Sequence, residues 1–403
     1  MFAAAAIPAA SSSRSQMNRA TDTTWLSGWR SNHSVTAKWR CGAVRTRASI
    51  NGQRRKNFRR HLATIVPAAA AHPGLDYPSY NNIGMTYDVQ WFTLTSGRHP
   101  QDNLFGDQKF WRTKFLDAYK KHLPFKSLDS FVGNPSVNFQ RILKHPTADA
   151  YYDAMLPTRE QFQKIALPIL TITGQYDGDE LGALTYYRDH LANASSQARA
   201  KHFLIIGPWD HAGTRTPTDE VAGVKFGPGA IVDLNDLHRQ WYDWTMKAGP
   251  KPAFLKNQVA YYLLAPGNSG ANGEWKYADN FETLTANPKT FYLDSKNGDA
   301  NGVFRSGALN EKQPNNGTDA FVYDPLDTHR GENVEGTDPK EKTAALDQTF
   351  ALSIGKDGLV YHTDPLPNET PLVGCPGAKS VAIHRYARCR SRVRPVRNPA
   401  RRH

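Results

Sequence analysis

The chain has 403 residues, enough for one large or two ordinary domains, and its formal net charge of +13 calls for a check of where the charge lies. No apolar run reaches membrane-spanning length, so we expect no membrane partner. The three cysteines have neither metal-ligand spacing nor the density of a disulfide framework. The N-terminal stretch MFAAAAIPAASSS has no basic residues before its apolar run, which favours a cytoplasmic location over secretion.

The excess of positive over negative charge comes from two stretches near the ends of the chain. Residues 30–60 carry ten Lys or Arg and no acid, and residues 375–403 carry nine and no acid. Together they hold +19, so the remaining residues carry a net charge of −6. One interpretation is a pair of nucleic-acid-binding arms. The rest of the chain has the composition of an ordinary acidic globular protein.

A second interpretation is that both basic stretches are translated in the wrong frame. They lack helical or strand periodicity, and arginine enrichment is typical of a GC-rich gene read out of frame. Codons for Lys38 to Phe58 can be chosen so that the frame starting on each third base reads M-A-M-W-G-G-S-Y-A-G-F-N-Q-W-A-T-A-K-E-F. From Pro376 onward, another frame can spell an alternating, acid-containing sequence. We therefore interpret residues 1–60 as out of frame or disordered and residues 375–403 as an out-of-frame tail, and we expect no nucleic-acid partner.

The shifted frame contains G-G-S-Y-A-G, which we interpret as a nucleophile elbow of the G-x-S-x-G type with alanine in place of its last glycine. Glycines in this motif permit the tight turn from strand to helix that exposes a serine. The serine codon would straddle the codons of Val44 and Arg45, so the chain as written lacks that serine.

The next residues predict one strand and then a helical region. HLATIVPAAAAHP indicates a buried strand from Leu62 to Val66 that ends at Pro67. Residues 90–165 read as helices and loops. Within them, FGDQKFWRTKFLDAYKKHL has an apolar stripe at helical spacing, which is more often core than binding surface. The stripe consists of Phe110, Trp111, Phe115, Leu116 and Tyr119.

A strand, a helix and a second strand follow. LPILTITGQYDGDELGALTYYRDHL predicts a strand over Ile169–Thr173, an acidic loop and a helix from about Leu181. AKHFLIIGPWDHAG predicts a strand over Phe203–Ile206 that leads into a loop. Parallel α/β sheets carry their chemistry at the carboxyl ends of the strands. We therefore expect Asp177 and His211, each just past a strand end, to lie side by side.

This pair suits acyl transfer. A neutral imidazole can take a proton from a serine hydroxyl and return it to the leaving group, while a carboxylate on its other nitrogen fixes the tautomer. The chain order serine, acid, histidine is that of α/β-hydrolases. Alone, His211 would more often be a surface or capping histidine; with Asp177 and the elbow it is predicted to be a catalytic base.

The motifs LPILTITGQYDGDE, HFLIIGPWDHAG and DLNDLHRQWYDWTMKAG resemble one group of serine hydrolases. The group includes bacterial cocaine esterase, X-prolyl dipeptidyl peptidase, α-amino acid ester hydrolases and glutaryl acylases, and the resemblance covers roughly residues 61–373. It implies that Asp177 is the triad acid and His211 the triad base. The family nucleophile and the N-terminal strands, with a tyrosine that helps the oxyanion hole, have no match here.

The resemblance also implies the domain organisation. It implies an N-terminally incomplete α/β-hydrolase domain over 61–250, with a doubly wound, mostly parallel sheet and a helical cap at about 90–165. A partial jelly-roll β-sandwich is expected over 251–374. The short aromatic runs NQVAYYLLAPG, GEWKYADNF and KTFYLDS agree with such a sandwich. A non-catalytic binding protein that uses the jelly roll is the alternative function.

The acidic loop bears on substrate choice. Asp179 and Glu180 directly follow the proposed triad acid. α-Amino acid ester hydrolases are similar here and hold the substrate's α-ammonium with carboxylates of this loop; Asp76, in PGLDYP, is a further candidate. The other interpretation is that Asp179 and Glu180 cap the following helix. The sequence leaves both open, and we expect a small-molecule or peptide substrate, no cofactor and no metal.

Overall fold

A computed structural model describes residues 62–80, 82–95, 101–265 and 272–295, together with the backbone of 39–44. It also describes shorter pieces of the C-terminal part, namely residues 300–302, 306–314, 318–324, 326–329, 331–332, 358–364, 368, 370 and 372–374. Predictions for residues 1–38, 45–61 and 375–403 therefore lie outside the described residues.

A six-stranded sheet forms the centre of the described chain. In spatial order, which is also chain order, its strands are β1 (Trp39–Val44), β2 (Leu62–Ala68), β3 (Ile169–Gly174), β4 (His202–Gly207), β5 (Val259–Leu263) and β6 (Glu274–Ala278). Neighbours from β1 to β5 are parallel, and β6 is antiparallel to β5. β3 and β4 are buried along their whole length, as expected for apolar strands covered on both faces. The predicted mostly parallel sheet is therefore present.

β2 is longer than the sequence predicted. We expected it to end at Pro67, but it continues to Ala68. The N–H groups of Ile65 and Ala69 donate to carbonyls on the β3 side, to Pro168 O at 3.2 Å and Ile172 O at 3.0 Å. Pro67 lies between these donors and has no N–H, so it removes one bond towards β3 without ending the strand.

β1 lies inside the segment that we interpreted as out of frame or disordered. Its backbone pairs in parallel with β2, with Val44 opposite Ala68. The structure thus gives these six residues a strand backbone, but the pairing does not test the reading frame, and the interpretation as out of frame or disordered stays a prediction. The rest of residues 1–60 lies outside the described chain.

Between β2 and β3 the chain is mainly helical, with two short antiparallel strands, Ser79–Tyr80 and Ile83–Gly84. The predicted apolar stripe packs inward, since Trp111 and Phe115 are buried and Phe110 and Tyr119 pack against the same cluster. The α-helices here are α1 (Tyr87–Thr95), α2 (Asp102–Gly106), α3 (Gln108–Lys120), α4 (Leu128–Phe131), α5 (Val137–Ile142), α6 (Ala150–Asp153) and α7 (Arg159–Gln163).

Three helices accompany the later strands, namely α8 (Glu180–Asn193), α9 (Ser196–Arg199) and α10 (Leu234–Lys247). α10 is fixed to the sheet by Trp241, which is fully buried and donates its indole N–H to Thr64 Oγ1 at 2.9 Å. No helix within the described residues is long and apolar enough to cross a membrane.

The strands expected to begin the jelly roll belong to a different sheet. β5 and β6, from the runs NQVAYYLLAPG and GEWKYADNF, extend the central sheet, because β5 pairs with β4. The expected boundary after residue 250 therefore does not coincide with the end of this sheet. After the short helix α11 (Phe281–Leu284), a separate three-stranded sheet consists of β7 (Tyr292–Asp294), β8 (Gly307–Asn310) and β9 (Tyr361–His362). Strand periodicity marked these runs as strands but could not show which sheet they join.

Candidate active site

The loops after β3 and β4 leave the sheet side by side. Gly174 and Gly207, the last residues of the two strands, lie opposite each other in the parallel ladder. The loop after β3 is held against the other by two backbone bonds, from Gln175 N to Gly207 O at 2.9 Å and from Tyr176 N to Trp209 O at 3.0 Å. A Cβ on Gly174 would lie 2.1 Å from Trp209 O, so this close approach requires glycine.

The structure brings Asp177 and His211 into contact. His211 Nδ1 lies 3.1 Å from Asp177 Oδ1, although the residues are 34 positions apart. The Asp177 side chain is 1 % exposed, whereas the His211 side chain is 32 % exposed. Because an ionised carboxylate only accepts hydrogen bonds, Nδ1 donates and Nε2 of the neutral ring keeps its lone pair. The ring can therefore accept a proton at Nε2.

The Asp177 carboxylate is held from a second direction by its own loop. Asp179 N donates to Asp177 Oδ1 at 3.0 Å. This bond fixes the Asp177 carboxylate relative to its own backbone and does not involve His211. The acid is thus preorganised by local loop geometry, in the manner of an Asx turn.

Asp179 adds a second carboxylate beside the imidazole. Its Oδ2 lies 3.4 Å from His211 Nδ1, and its side chain is 2 % exposed. Asp179 is the N-cap residue of α8, but its side chain makes no capping hydrogen bond. The capping interpretation of Asp179 therefore does not describe its side chain.

Glu180 begins α8 and lies beside Asp177. Burial, and next the negative charge of Asp177, raise the pKa of Glu180 to about 7. A bound cation would favour the ionised form of this carboxyl group. Glu180 therefore remains a candidate cation ligand, and its place in the first turn also suits the helix dipole.

Asp76 lies on the other side of the α8 N-terminus. Its Oδ1 accepts from His72 N at 2.7 Å, and its Oδ2 accepts from Gly182 N at 2.5 Å. The residue is 2 % exposed, and burial, together with the charge of Asp179, raises its pKa to about 7. Both oxygens thus already have backbone donors, a role that the sequence analysis missed. A glycine within the first turn of a helix was the one available signal.

The nucleophile expected at the codons of Val44 and Arg45 lies at the limit of the described chain. β1 ends at Val44, next to β2, and Arg45 lies outside the described residues. Within those residues, the ring of His211 has no hydrogen bond to a serine or cysteine side chain. The acid and the base are therefore described without their nucleophile.

One group of side chains in the described residues has the spacing of a cation site. Ligand atoms of Asp177, Asp179 and His211 all lie within 4.8 Å of one another. In the structure, Nδ1 of His211 is engaged by carboxylate oxygens, which suits proton transfer at Nε2. We therefore treat these residues as an acid–base group.

Comparison with known proteins shows similarity at the level of structure. No protein-family model and no curated protein matches the chain. An aminopeptidase from a marine sediment archaeon, Thaumarchaeota archaeon, matches 71 % of this chain and 45 % of its own, with 16 % identity and a TM-score of 0.55. An α-amino acid ester hydrolase matches 70 % and 44 %, with 17 % identity and a TM-score of 0.51. The chain has an α/β-hydrolase fold.

The resemblance drawn from the sequence motifs is thus confirmed at the level of the fold. A CocE/NonD family hydrolase from Staphylococcus aureus also matches, with 16 % identity, a TM-score of 0.44, and coverage of 73 % of this chain and 42 % of its own. The chain spans less than half the length of each of these structures. Within the hydrolase fold, the loops after β3 and β4 carry Asp177 and His211.

Proposed function

We propose that this chain contains the acid–base part of a serine acyl hydrolase that cleaves esters or amides through an acyl-enzyme. The observation that carries the proposal is the contact between Asp177 and His211 at adjacent strand ends in an α/β-hydrolase fold. The structural neighbours are themselves hydrolases, which supports the reaction class. The buried acid and the half-buried base suit general acid–base catalysis.

Each residue has a defined role in the proposed reaction. His211 Nε2 takes the proton of the serine hydroxyl as the serine attacks the carbonyl carbon, and returns it to the leaving alcohol or amine. Water then attacks the acyl-enzyme with the same assistance. Asp177 holds Nδ1–H and stabilises the imidazolium that forms in each step.

The serine of this proposal is the one encoded by the shifted frame. We define the frame-restored chain as the chain in which residues 38–58 are replaced by the shifted-frame translation. In it, the G-G-S-Y-A-G elbow would begin within the strand position of β1, and its serine would lie where β1 ends, next to β2 in the sheet. The nucleotide sequence under residues 30–60 and 370–403 tests this directly. A nucleotide sequence whose shifted frame does not spell the elbow would overturn the proposal.

We further propose that the substrate carries a free α-amino group. The support is the group of buried acids beside His211, in particular Asp179 at 3.4 Å from Nδ1 and Glu180 with its raised pKa. A bound ammonium group would add a charged partner for these carboxylates, whereas an uncharged analogue would add none. Asp76 is not needed for this contact, because its two oxygens already accept from the backbone N–H groups of His72 and Gly182, and its assignment as a substrate ligand stays a prediction.

Two esters that differ only in the amino group test both proposals. In the frame-restored chain we expect kcat/KM for the p-nitrophenyl ester of alanine to exceed that of propionic acid by about 10²-fold. Glu180→Gln should reduce the preference at least about tenfold, since a hydrogen bond to a charged group contributes about 1.5–3 kcal/mol. Hydrolysis without preference would leave the hydrolase proposal intact and overturn the ammonium proposal.

The chain as written is the matched control for the nucleophile. We expect it to show no serine-dependent turnover, because it lacks the elbow serine. Ester hydrolysis by this chain that a serine-reactive phosphonate abolishes would contradict the proposal.

A further inference from the structure

The N-terminus of α8 is capped by a residue from another part of the chain. In most helices the N-cap side chain accepts from the N–H of the second or third helical residue. Here the N-cap residue, Asp179, makes no such bond. The N–H of the third helical residue, Gly182, instead donates to Asp76 Oδ2 at 2.5 Å, across 106 positions of sequence.

Asp76 is held in place for this contact. Its other carboxylate oxygen accepts from His72 N at 2.7 Å, so the carboxylate connects the loop after β2 to the first turn of α8. The His72 ring also packs against Tyr186 of α8, with the ring centroids 4.9 Å apart. Two contacts therefore join this loop to the helix.

The approach of the loop to the helix depends on Gly182. A Cβ at this position would lie 2.4 Å from Asp76 Oδ2, 2.6 Å from His72 N and 2.7 Å from Ala70 O. Two of these atoms are backbone, so an added methyl group cannot be accommodated by side-chain rotation. A glycine normally lowers helix stability, and here it permits the contact with Asp76.

We propose that Asp76 is a positioning residue that caps α8 in place of Asp179 and thereby lets the Asp179 carboxylate lie beside His211. Asp76 Oδ2 occupies Gly182 N, the donor that an N-cap side chain would take, while the Asp179 side chain makes no capping bond and its Oδ2 lies 3.4 Å from His211 Nδ1. Asp76 therefore supports the acidic side of the imidazole without contacting substrate. This role rests on the proposed hydrolase function. Urea unfolding and NMR of His211 test it without measuring turnover, so a negative result there is distinguishable from a lack of hydrolase activity.

A double-mutant cycle in the full chain tests this division of labour. Asp179→Ala alone should change the folding equilibrium constant less than about twofold, because Asp179 does not cap α8. In the Asp76→Ala background, Asp179 is expected to turn to Gly182 N and become the cap. There, Asp179→Ala should lower the folding constant about fivefold, which is the typical effect of a lost N-cap. Equal effects of Asp179→Ala in both backgrounds, measured by urea unfolding, would overturn the proposal.

The ring N–H proton of His211 provides a second readout that a purely structural role of Asp76 would not move. In Asp76→Ala, departure of Asp179 should shift the downfield NMR signal of His211 Nδ1–H. Asp76→Asn keeps one acceptor oxygen for Gly182 N and should restore most of the original shift. If Asp76→Ala does not fold, Gly182→Ala replaces it in the cycle, because a Cβ at this position would lie 2.4 Å from Asp76 Oδ2 and separate Asp76 from α8. A signal unchanged in Asp76→Ala would contradict the proposal.

Two glycines in the same loop and helix start form a matched pair. Gly182→Ala should reproduce the NMR change of Asp76→Ala, because the new methyl group separates Asp76 from α8. Gly178→Ala is the control, since a Cβ at Gly178 meets no atom within 4 Å. Equal NMR changes in the two variants would show that the His211 signal responds to any substitution in this loop. That result would overturn the specific role of the Asp76 contact.

Discussion

Two histidine–aspartate pairs of this chain look alike by distance and differ in everything else. His145 Nδ1 lies 2.7 Å from Asp149 Oδ2, which is shorter than the 3.1 Å between His211 and Asp177. The shorter pair is four residues apart, its side chains are 28 % and 40 % exposed, and its ring stacks on Tyr151 at 4.1 Å. Asp149 also caps α6 by accepting from Tyr151 N at 2.9 Å.

The burial of the acid and the distance in sequence between the two residues distinguish the candidate catalytic pair. A pair at local spacing whose carboxylate is open to solvent is typical of a helix cap, and solvent screens its charges. In the other pair, two parallel strands bring together residues that are distant in sequence, and the acid is shielded from water while the base remains accessible. A short distance is therefore weaker evidence for catalysis than this asymmetry in exposure.

The largest contrast is expected from removing the imidazole. In the frame-restored chain, His211→Ala should lower kcat by about 10⁶-fold, because proton transfer to and from the serine is lost. His145→Ala in the same background should change kcat less than about twofold. Steady-state hydrolysis of an activated ester measures kcat for both variants. Comparable losses of kcat in the two variants would remove the distinction between the pairs.

The aspartates should differ by a smaller factor. Asp177→Asn is expected to reduce kcat about 10⁴-fold, because the amide favours the wrong tautomer of His211. Asp149→Asn should leave kcat within about twofold. If Asp177→Asn retained nearly full activity, another group would have to orient His211, and Asp179 would be the first candidate.

The buried pair also lies beside a carboxyl group with a raised pKa, which predicts a pH effect. Burial raises the pKa of Glu180 to about 7, above its ordinary value near 4. The stability that this group contributes is therefore fully present below about pH 4 and is lost as the pH rises through 7. Glu180→Gln should accordingly gain stability relative to the parent chain between pH 5 and pH 8, as measured by urea unfolding.

Glu160 is the matched control for this measurement. It is exposed, and hydrogen bonds from the backbone N–H of Glu160 and from Thr158 lower the pKa of its carboxyl group. It is therefore ionised in both the folded and the unfolded chain from pH 5 to pH 8. Glu160→Gln should show no such trend, and a trend of equal size in both variants would contradict the special environment of Glu180.

The smallest effect is expected at the exposed pair itself. Asp149→Ala removes the cap of α6 and should lower Tm by roughly 2 °C without changing kcat. A thermal melt of the frame-restored chain checks this. A loss of activity at constant Tm would show that the exposed pair has a role beyond capping.

Much of the central sheet could be predicted from the sequence. The apolar runs predicted β3 as Ile169–Thr173 and β4 as Phe203–Ile206, within one residue of the observed ends. These strands are buried on both faces, so their sequence pattern is strong. The predicted end of β2 was wrong. Pro67 was expected to end the strand, but it removes only one hydrogen bond from it.

Other features could not be predicted because local sequence carries no information about the partner. The runs that became β5 and β6 have strand periodicity, but pairing of β5 with β4 placed both in the central sheet. The same holds for Asp76, which the sequence analysis offered as a further carboxylate for the substrate's ammonium group. Its actual backbone partners, His72 and Gly182, became visible only in three dimensions.

The sequence by itself determined that a mostly parallel sheet would carry an acid and a histidine past the ends of two successive strands. It did so because apolar runs and the glycine turns after them are local signals. The tertiary structure decided which carboxylates face the imidazole and which one caps α8. Those contacts join residues as many as 106 positions apart, and they depend on close packing that no local pattern encodes.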